Sequence, residues 1–373
     1  MKMSFGNGIG FTYDDAVSMK DIFGHAYGAF VMELTSDENV GTLLGYTTEA
    51  AEITYKVQTV SLDKLLGAYE GKLEPVYSCN IPMKNEEIPA YAYDKGTVCA
   101  APMVRTAKPK VLIPVFPGTN CEYDTAKAFA DAGADPEIFV INNLTAQGVA
   151  ASADSFAKKI GDSQIIFVPG GFSGGDEPDG SGKFITAFFR NAKVKDATTD
   201  LLDVRGGLMA GICNGFQALI KLGLVPYGKI VDADENAPTL TYNIIARHQS
   251  RLVRTRICSN KSPWLSEVNV GDVISVPISH GEGRFLASDE IVAELAANGQ
   301  IATQYVDMDG KPTYDVHFNP NGSVMAIEGI TSPDGRVFGK MGHSERIGSG
   351  LYRNVDGNYD IGMFRAAVKF FKG

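Results

Sequence analysis

Met209 to Gln217 reads MAGICNGFQ, a single cysteine between two glycines. The form is glycine–x–nucleophile–x–glycine, behind an apolar run and ahead of residues with helical spacing. A strand-to-helix turn of this kind is strained, and small flanking residues let the backbone close around it. It would place the Cys213 thiol at the carboxyl end of a strand and the start of a helix, where free N–H groups and the helix dipole favour a thiolate. The N–H of Asn214 would then point into an oxyanion hole. A free thiol is mostly protonated at neutral pH, so such a nucleophile needs a base. The spacing also fits a buried structural thiol, because unpaired cysteines are commonly buried.

Five histidines are available: His25, His248, His280, His317 and His343. His343 lies in GKMGHSERIG, with Glu345 two residues on. In extended backbone, residues i and i+2 point the same way, so the carboxylate would orient the imidazole and the imidazole would take the thiol proton. His280, in SHGEGRF, is the rival, although its glycine-flanked loop also suits ligand binding. The other three lack such company and read as structural. VPGGFSGGDEPDG, residues 168–180, follows another apolar run. Its glycine N–H groups suit an oxyanion or carboxylate, or the loop is a lid or crossover. It lacks the lysine–serine or lysine–threonine ending of a phosphate loop. Cys121, in PGTNCEYD, also follows a strand. It falls past the turn, in the first turn of a helix, and reads as structural.

Elements able to position these residues alternate from residue 110 onward. Apolar runs at Lys110–Val115, Pro136–Asn142, Gln164–Pro169 and Gly207–Ile212 are expected strands. Helical patterns at Thr119–Ala134, Ala150–Ile160, Phe184–Asn191 and Gly215–Leu222 separate or follow them. The alternation predicts a mostly parallel sheet with helices on both faces. Beyond Thr239, the stretches TYNIIARHQ, RLVRTRICS, DVISVPISH and SVMAIEGITS predict an antiparallel extension, and Met363–Phe371 a closing helix. Residues 1–77 read as a small α+β domain. Strands are expected at Ala26–Leu34 and Ala51–Val60, and Ser61 is expected to cap a helix bearing Leu62, Leu65, Leu66 and Tyr69 on one face. Residues 78–109 have linker composition, and residues 110–373 form the main domain.

The chain has 373 residues, 44% hydrophobic and 21% charged, with a formal net charge of −10. This composition predicts a soluble protein with no membrane span and no nucleic-acid surface. The five cysteines include no C-x-x-C pair, so no metal site is expected, and the absence of a signal-peptide pattern points to a cytoplasmic location.

In that order, FVPGGFSGGD, GICNGFQ, SHGEGRF and GHSER resemble the class I, triad-type glutamine amidotransferases. PGTNCEYDTAKAF and FNPNGSVMAIEGI narrow the resemblance to the glutaminase domains of phosphoribosylformylglycinamidine synthases. The resemblance implies a flavodoxin-like α/β fold and hydrolysis of L-glutamine through a cysteinyl thioester. Cys213 would be the nucleophile, His343 the proton shuttle and Glu345 its anchor. The N–H groups of Gly171 and Asn214 would form the oxyanion hole, and Gly170, Phe172, Gln217 and His280 would hold glutamine. Ammonia would pass to a synthetase region that amidates formylglycinamide ribonucleotide. The first 77 residues resemble the last piece of the synthetase half of the large fused form, whose ATP and Mg²⁺ bind upstream, so no cofactor is expected here. Ser344 stands where the family commonly has proline, which removes a stiff dipeptide. A non-catalytic docking subunit and a glutaminase serving another synthetase are the alternatives.

Overall fold

The structure, a computed structural model, describes residues 1–36, 38, 40–78, 81–173 and 182–372. Cys79 and residues 174–180 of the glycine loop therefore lie outside the described residues. The chain forms two compact units, residues 1–81 and 82–373.

The first unit contains α1 (Ser4–Asn7), β1 (Gly10–Tyr13), α2 (Met19–Phe23), β2 (Gly45–Thr48), β3 (Glu52–Tyr55), β4 (Gln58–Ser61) and α3 (Leu62–Glu70). Its sheet has the order β2-β1-β3-β4. AEITYKVQTV, expected as one strand, is the β3–β4 hairpin, because Lys56 turns the chain at φ 54°. The Ser61 hydroxyl accepts from Lys64 N–H and caps α3 as expected. The helix stops at Glu70, with Leu62 buried and Tyr69 exposed. The expected strand at Ala26–Leu34 does not form. The edges of the sheet are β2 and β4, and the segment joins neither. Its Tyr27, Phe30, Val31 and Met32 stay exposed. Strand-like composition alone gives no ladder without a neighbour to accept it.

The second unit runs β5 (Lys110–Val115), α4 (Glu122–Asp131), β6 (Asp135–Val140), α5 (Ala146–Asp162), β7 (Ile165–Val168), α6 (Lys183–Phe189), α7 (Ala192–Thr199), β8 (Leu208–Ile212), α8 (Asn214–Leu222) and the short α9 (Leu224–Tyr227). It continues with β9 (Thr239–Tyr242), β10 (Gln249–Ile257), β11 (Val273–His280), β12 (Glu282–Leu286), α10 (Asp289–Ala297), β13 (Ile301–Val306), β14 (Ile327–Thr331), β15 (Val337–Lys340) and α11 (Met363–Lys372). Nine strands form one sheet in the order β11-β10-β13-β14-β15-β8-β7-β5-β6. From β15 to β6 neighbours are parallel, and from β15 to β11 they are antiparallel. β7 and β8 are buried along their whole length, as continuous apolar runs covered on both faces must be.

Two expected strands are shorter than their composition suggested. TYNIIARHQ yields β9, which ends at Tyr242 and pairs with β12 in a separate ribbon. SVMAIEGITS begins with a 3₁₀ turn at Val324–Ala326, where Met325 takes φ 49°, before β14 starts. The segment with linker composition lies against the sheet from residue 82. Arg256 on β10 donates to the Tyr91 carbonyl at 2.7 Å, and Gln304 on β13 bonds both Tyr91 N–H and the Pro89 carbonyl. Among the described residues, no helix is long and apolar enough to cross a membrane.

Candidate active site

β8 and β15 are adjacent and parallel, paired from Met209–Val337 to Ile212–Lys340. The residues leaving their carboxyl ends emerge side by side, Cys213 from β8 and His343 from just beyond β15. Cys213 takes φ 53° and ψ −108°, a strained conformation for a residue with a side chain. Two bonds hold it there: its N–H donates to the Lys340 carbonyl at 2.9 Å, and its carbonyl accepts from Gln217 N–H at 3.0 Å. The elbow requires its glycine, since a Cβ on Gly215 would lie 2.0 Å from the Val168 carbonyl oxygen. The thiol is 4% exposed and sits at the N-terminus of α8, its sulfur 3.7 Å from the Ser279 carbonyl.

His343 Nδ1 bonds Glu345 Oε1 at 2.6 Å, and both side chains are buried. His343 N–H donates to the Pro277 carbonyl of β11, which anchors the segment to the antiparallel half. With Nδ1 engaged, Nε2 is left buried without a hydrogen-bond partner. Burial opposes charge on the imidazole. The Glu345 carboxylate outweighs it, aided by the Cys121 and Cys213 thiols, and holds His343 well above the usual histidine range. Glu345 is likewise burdened by burial, yet the His343 charge and hydrogen bond bring it below its ordinary value. His280, the rival base, differs in environment. Its Nδ1 meets Asn243 Oδ1 at 3.1 Å, and burial, followed by its histidine neighbours His343 and His248, pushes it down to about 3. It is neutral and has no carboxylate to orient it.

The His343–Glu345 pair makes a pH-dependent contribution to stability. The raised imidazole contributes fully below its ordinary pKa of 6.5 and loses this as pH rises through its raised value. The lowered carboxyl contributes fully above its ordinary 4.5 and loses this as pH falls through its lowered value. In urea unfolding, the stability gap between the parent and Glu345→Gln should therefore be widest between pH 4.5 and 6.5 and shrink on either side. A gap of constant size across pH would exclude an ion pair here.

Gly170 marks where the site converges. A Cβ there would lie 2.8 Å from His343 Cε1, 3.1 Å from Cys121 Sγ and 3.4 Å from Cys213 Cβ. At Gly171 a bridge to Thr119 uses the Gly170 carbonyl and the Phe172 N–H, leaving the Gly171 N–H outside the ladder. Asn214 receives Ser173 N–H on its side-chain oxygen and donates to Gln217 Oε1 at 2.9 Å. Gln217 in turn donates to the Glu282 carbonyl. The Gln217 amide is thus engaged at both ends. The Phe172 ring lies 6.0 Å from that of His248, whose Nε2 meets Ser279 Oγ at 2.9 Å. His248, read from sequence as structural, therefore borders the site through Ser279. Ser344, in place of the usual proline, is buried, and its N–H turns back to the Gly342 carbonyl at 3.1 Å.

Cys121, read from sequence as structural at the start of a helix, lies against the candidate site. This residue is the N-cap of α4, fully buried, with Sγ 3.7 Å from His343 Nδ1 and 3.1 Å from Arg346 Nη2. Cys121 follows β5 and Cys213 follows β8, strands that flank β7, so both thiols reach the same carboxyl edge.

Residues 108–371 match the model of the CobB/CobQ-like glutamine amidotransferase domain. The PurQ subunit of phosphoribosylformylglycinamidine synthase from Methanococcus maripaludis is 38% identical over 254 residues, covering 68% of this chain and 86% of that one. The PurQ subunit from Dehalococcoides mccartyi is 35% identical over 274 residues, covering 71% and 98%. Among solved structures, a chain of PurLQS from Thermotoga maritima aligns at 26% identity with a TM-score of 0.48, covering 71% and 97%.

Proposed function

The chain belongs to the CobB/CobQ-like glutamine amidotransferase family, and from that premise we propose that it is the glutaminase component of a phosphoribosylformylglycinamidine synthase. The observation that carries the reading is the buried Cys213–His343–Glu345 set at the ends of β8 and β15. Glu345 holds His343 through Nδ1, so Nε2 is the nitrogen left to exchange a proton with Cys213. The thiolate attacks the side-chain amide carbon of L-glutamine. The Gly171 and Asn214 N–H groups receive the developing oxyanion. His343 returns the proton to the leaving ammonia, and a thioester remains on Cys213. Water, deprotonated by the same imidazole, then releases glutamate. Gly170, Phe172, Gln217 and His280 border the substrate. The ammonia serves a synthetase partner that consumes ATP to amidate formylglycinamide ribonucleotide.

Exposure to 6-diazo-5-oxo-L-norleucine, with glutamine as competitor and peptide mass spectrometry as readout, tests this. Glutamine-protected labelling at Cys213 alone is the expected result. Absence of labelling, both for the chain alone and with an added synthetase, would overturn the reading.

A further inference from the structure

Cys121, His343 and Glu345 each present a ligand atom, and these atoms lie within 4.8 Å of one another. We infer that they form an inhibitory site for one soft divalent cation, Zn²⁺ among biological ions, with Cys121 rather than Cys213 as the thiolate ligand. The inhibitory effect rests on the proposed glutaminase reading, whereas the metal binding does not.

The geometry is close to what zinc requires. Tetrahedral zinc with ordinary Zn–S and Zn–N lengths separates sulfur from nitrogen by about 3.6 Å, and nitrogen from carboxylate oxygen by about 3.4 Å. The Cys121 Sγ to His343 Nδ1 separation is 3.7 Å. The Nδ1 to Glu345 Oε1 distance of 2.6 Å is that of a hydrogen bond, which opens when the shared proton leaves. Glu345 Oε2 is buried without a hydrogen-bond partner and is a free acceptor for the same purpose. Thiolate and carboxylate together neutralise the cation, so Arg346 faces a cluster without net charge. Its N–H on the Cys121 sulfur then becomes an outer-shell bond to a metal-bound thiolate. A cleft of about 540 Å³, bordered by Asp124, Ser344, Glu345, Arg346 and Tyr352, lies beside the cluster, whose Glu345 side chain is itself fully buried.

Binding releases two protons, one from the Cys121 thiol and one from Nδ1. The imidazole then carries its remaining proton on Nε2, with its other lone pair on the metal. It can no longer accept a proton from Cys213, and turnover stops. Because protons compete with the cation, inhibition should strengthen as pH rises.

The test is equilibrium dialysis with Zn²⁺, together with Cd²⁺ titration followed by thiolate charge-transfer absorbance, on the full chain. The parent should bind one ion with the absorbance of a single thiolate. Cys213→Ser should bind as the parent does. Cys121→Ser and Cys121→Ala should weaken binding by roughly 100-fold or more, beyond the usual effect of losing an outer-shell partner. In each variant the turnover measured without metal is its own reference, and added Zn²⁺ should no longer lower it. Loss of binding in Cys213→Ser with retention in the Cys121 variants would place the ion on the nucleophile and overturn the inference. Unchanged binding in all three variants would overturn it as well. If the parent shows no glutaminase activity, dialysis still reports on the metal site, so the two proposals fail separately.

Discussion

Cys213→Ala should lower glutamine turnover by roughly four orders of magnitude or more, the scale seen when a nucleophile is removed from a triad. No other described group can take its place. Among the described residues Cys121 is the only other thiol at the imidazole, but it lies 3.7 Å from Nδ1, the nitrogen held by Glu345, and its sulfur accepts from Arg346. It cannot use Nε2, the nitrogen proposed to serve the elbow. The variant should fold, since alanine removes one buried atom and leaves both backbone bonds to Lys340 and Gln217 in place. Steady-state glutaminase assays with matched thermal melts check this. Folded protein within about tenfold of parental turnover would remove Cys213 as nucleophile.

The parallel half of the fold was legible because buried strands and their helices carry strong local signals. β5, β7 and β8 are short apolar runs, and α8 begins directly at the elbow. β15 was missed because VFGK is too short to show a period. Its place beside β8 is set by tertiary pairing, which alone brings His343 to Cys213. Histidine and glutamate two residues apart suggested a pair on the premise of extended backbone, and the resemblance already favoured His343 over His280. The pair forms, but in a turn where Arg346 N–H returns to the His343 carbonyl. Ala26–Leu34 failed for the opposite reason. Its residue types favour a strand, but no sheet edge accepts it. Cys121 was read from its local position in a helix, and no local pattern shows that β5 and β8 end at one place. The Lys340–Glu328 ion pair was invisible for the same reason, since its members lie on two strands and meet only after pairing.

That pair carries the second large expected effect. Lys340 and Glu328 are both fully buried, with Nζ 3.2 Å from Oε1. Lys340 Nζ also donates to the Gly342 carbonyl at 2.8 Å, while Glu328 accepts from Gly342 N–H at 2.6 Å and from Thr303 Oγ1. One peptide unit on each side of Gly342 is thus fixed by charge-assisted bonds immediately ahead of His343. The Lys340 carbonyl accepts Cys213 N–H, so the same residue holds the elbow. Lys340→Met would leave a carboxylate buried without its counter-charge, at a cost of about 3–5 kcal/mol in urea unfolding. Adding Glu328→Gln should recover most of that loss. The glutamine oxygen can still accept from Gly342 N–H, its amide can donate to Thr303, and no unpaired charge remains. Turnover in the double variant should stay below the parent even with stability restored, because the Gly342 carbonyl has lost its donor and the approach to His343 is less firmly held. A double variant as unstable as Lys340→Met would mean that the lysine stem fills space, and that charge compensation contributes little.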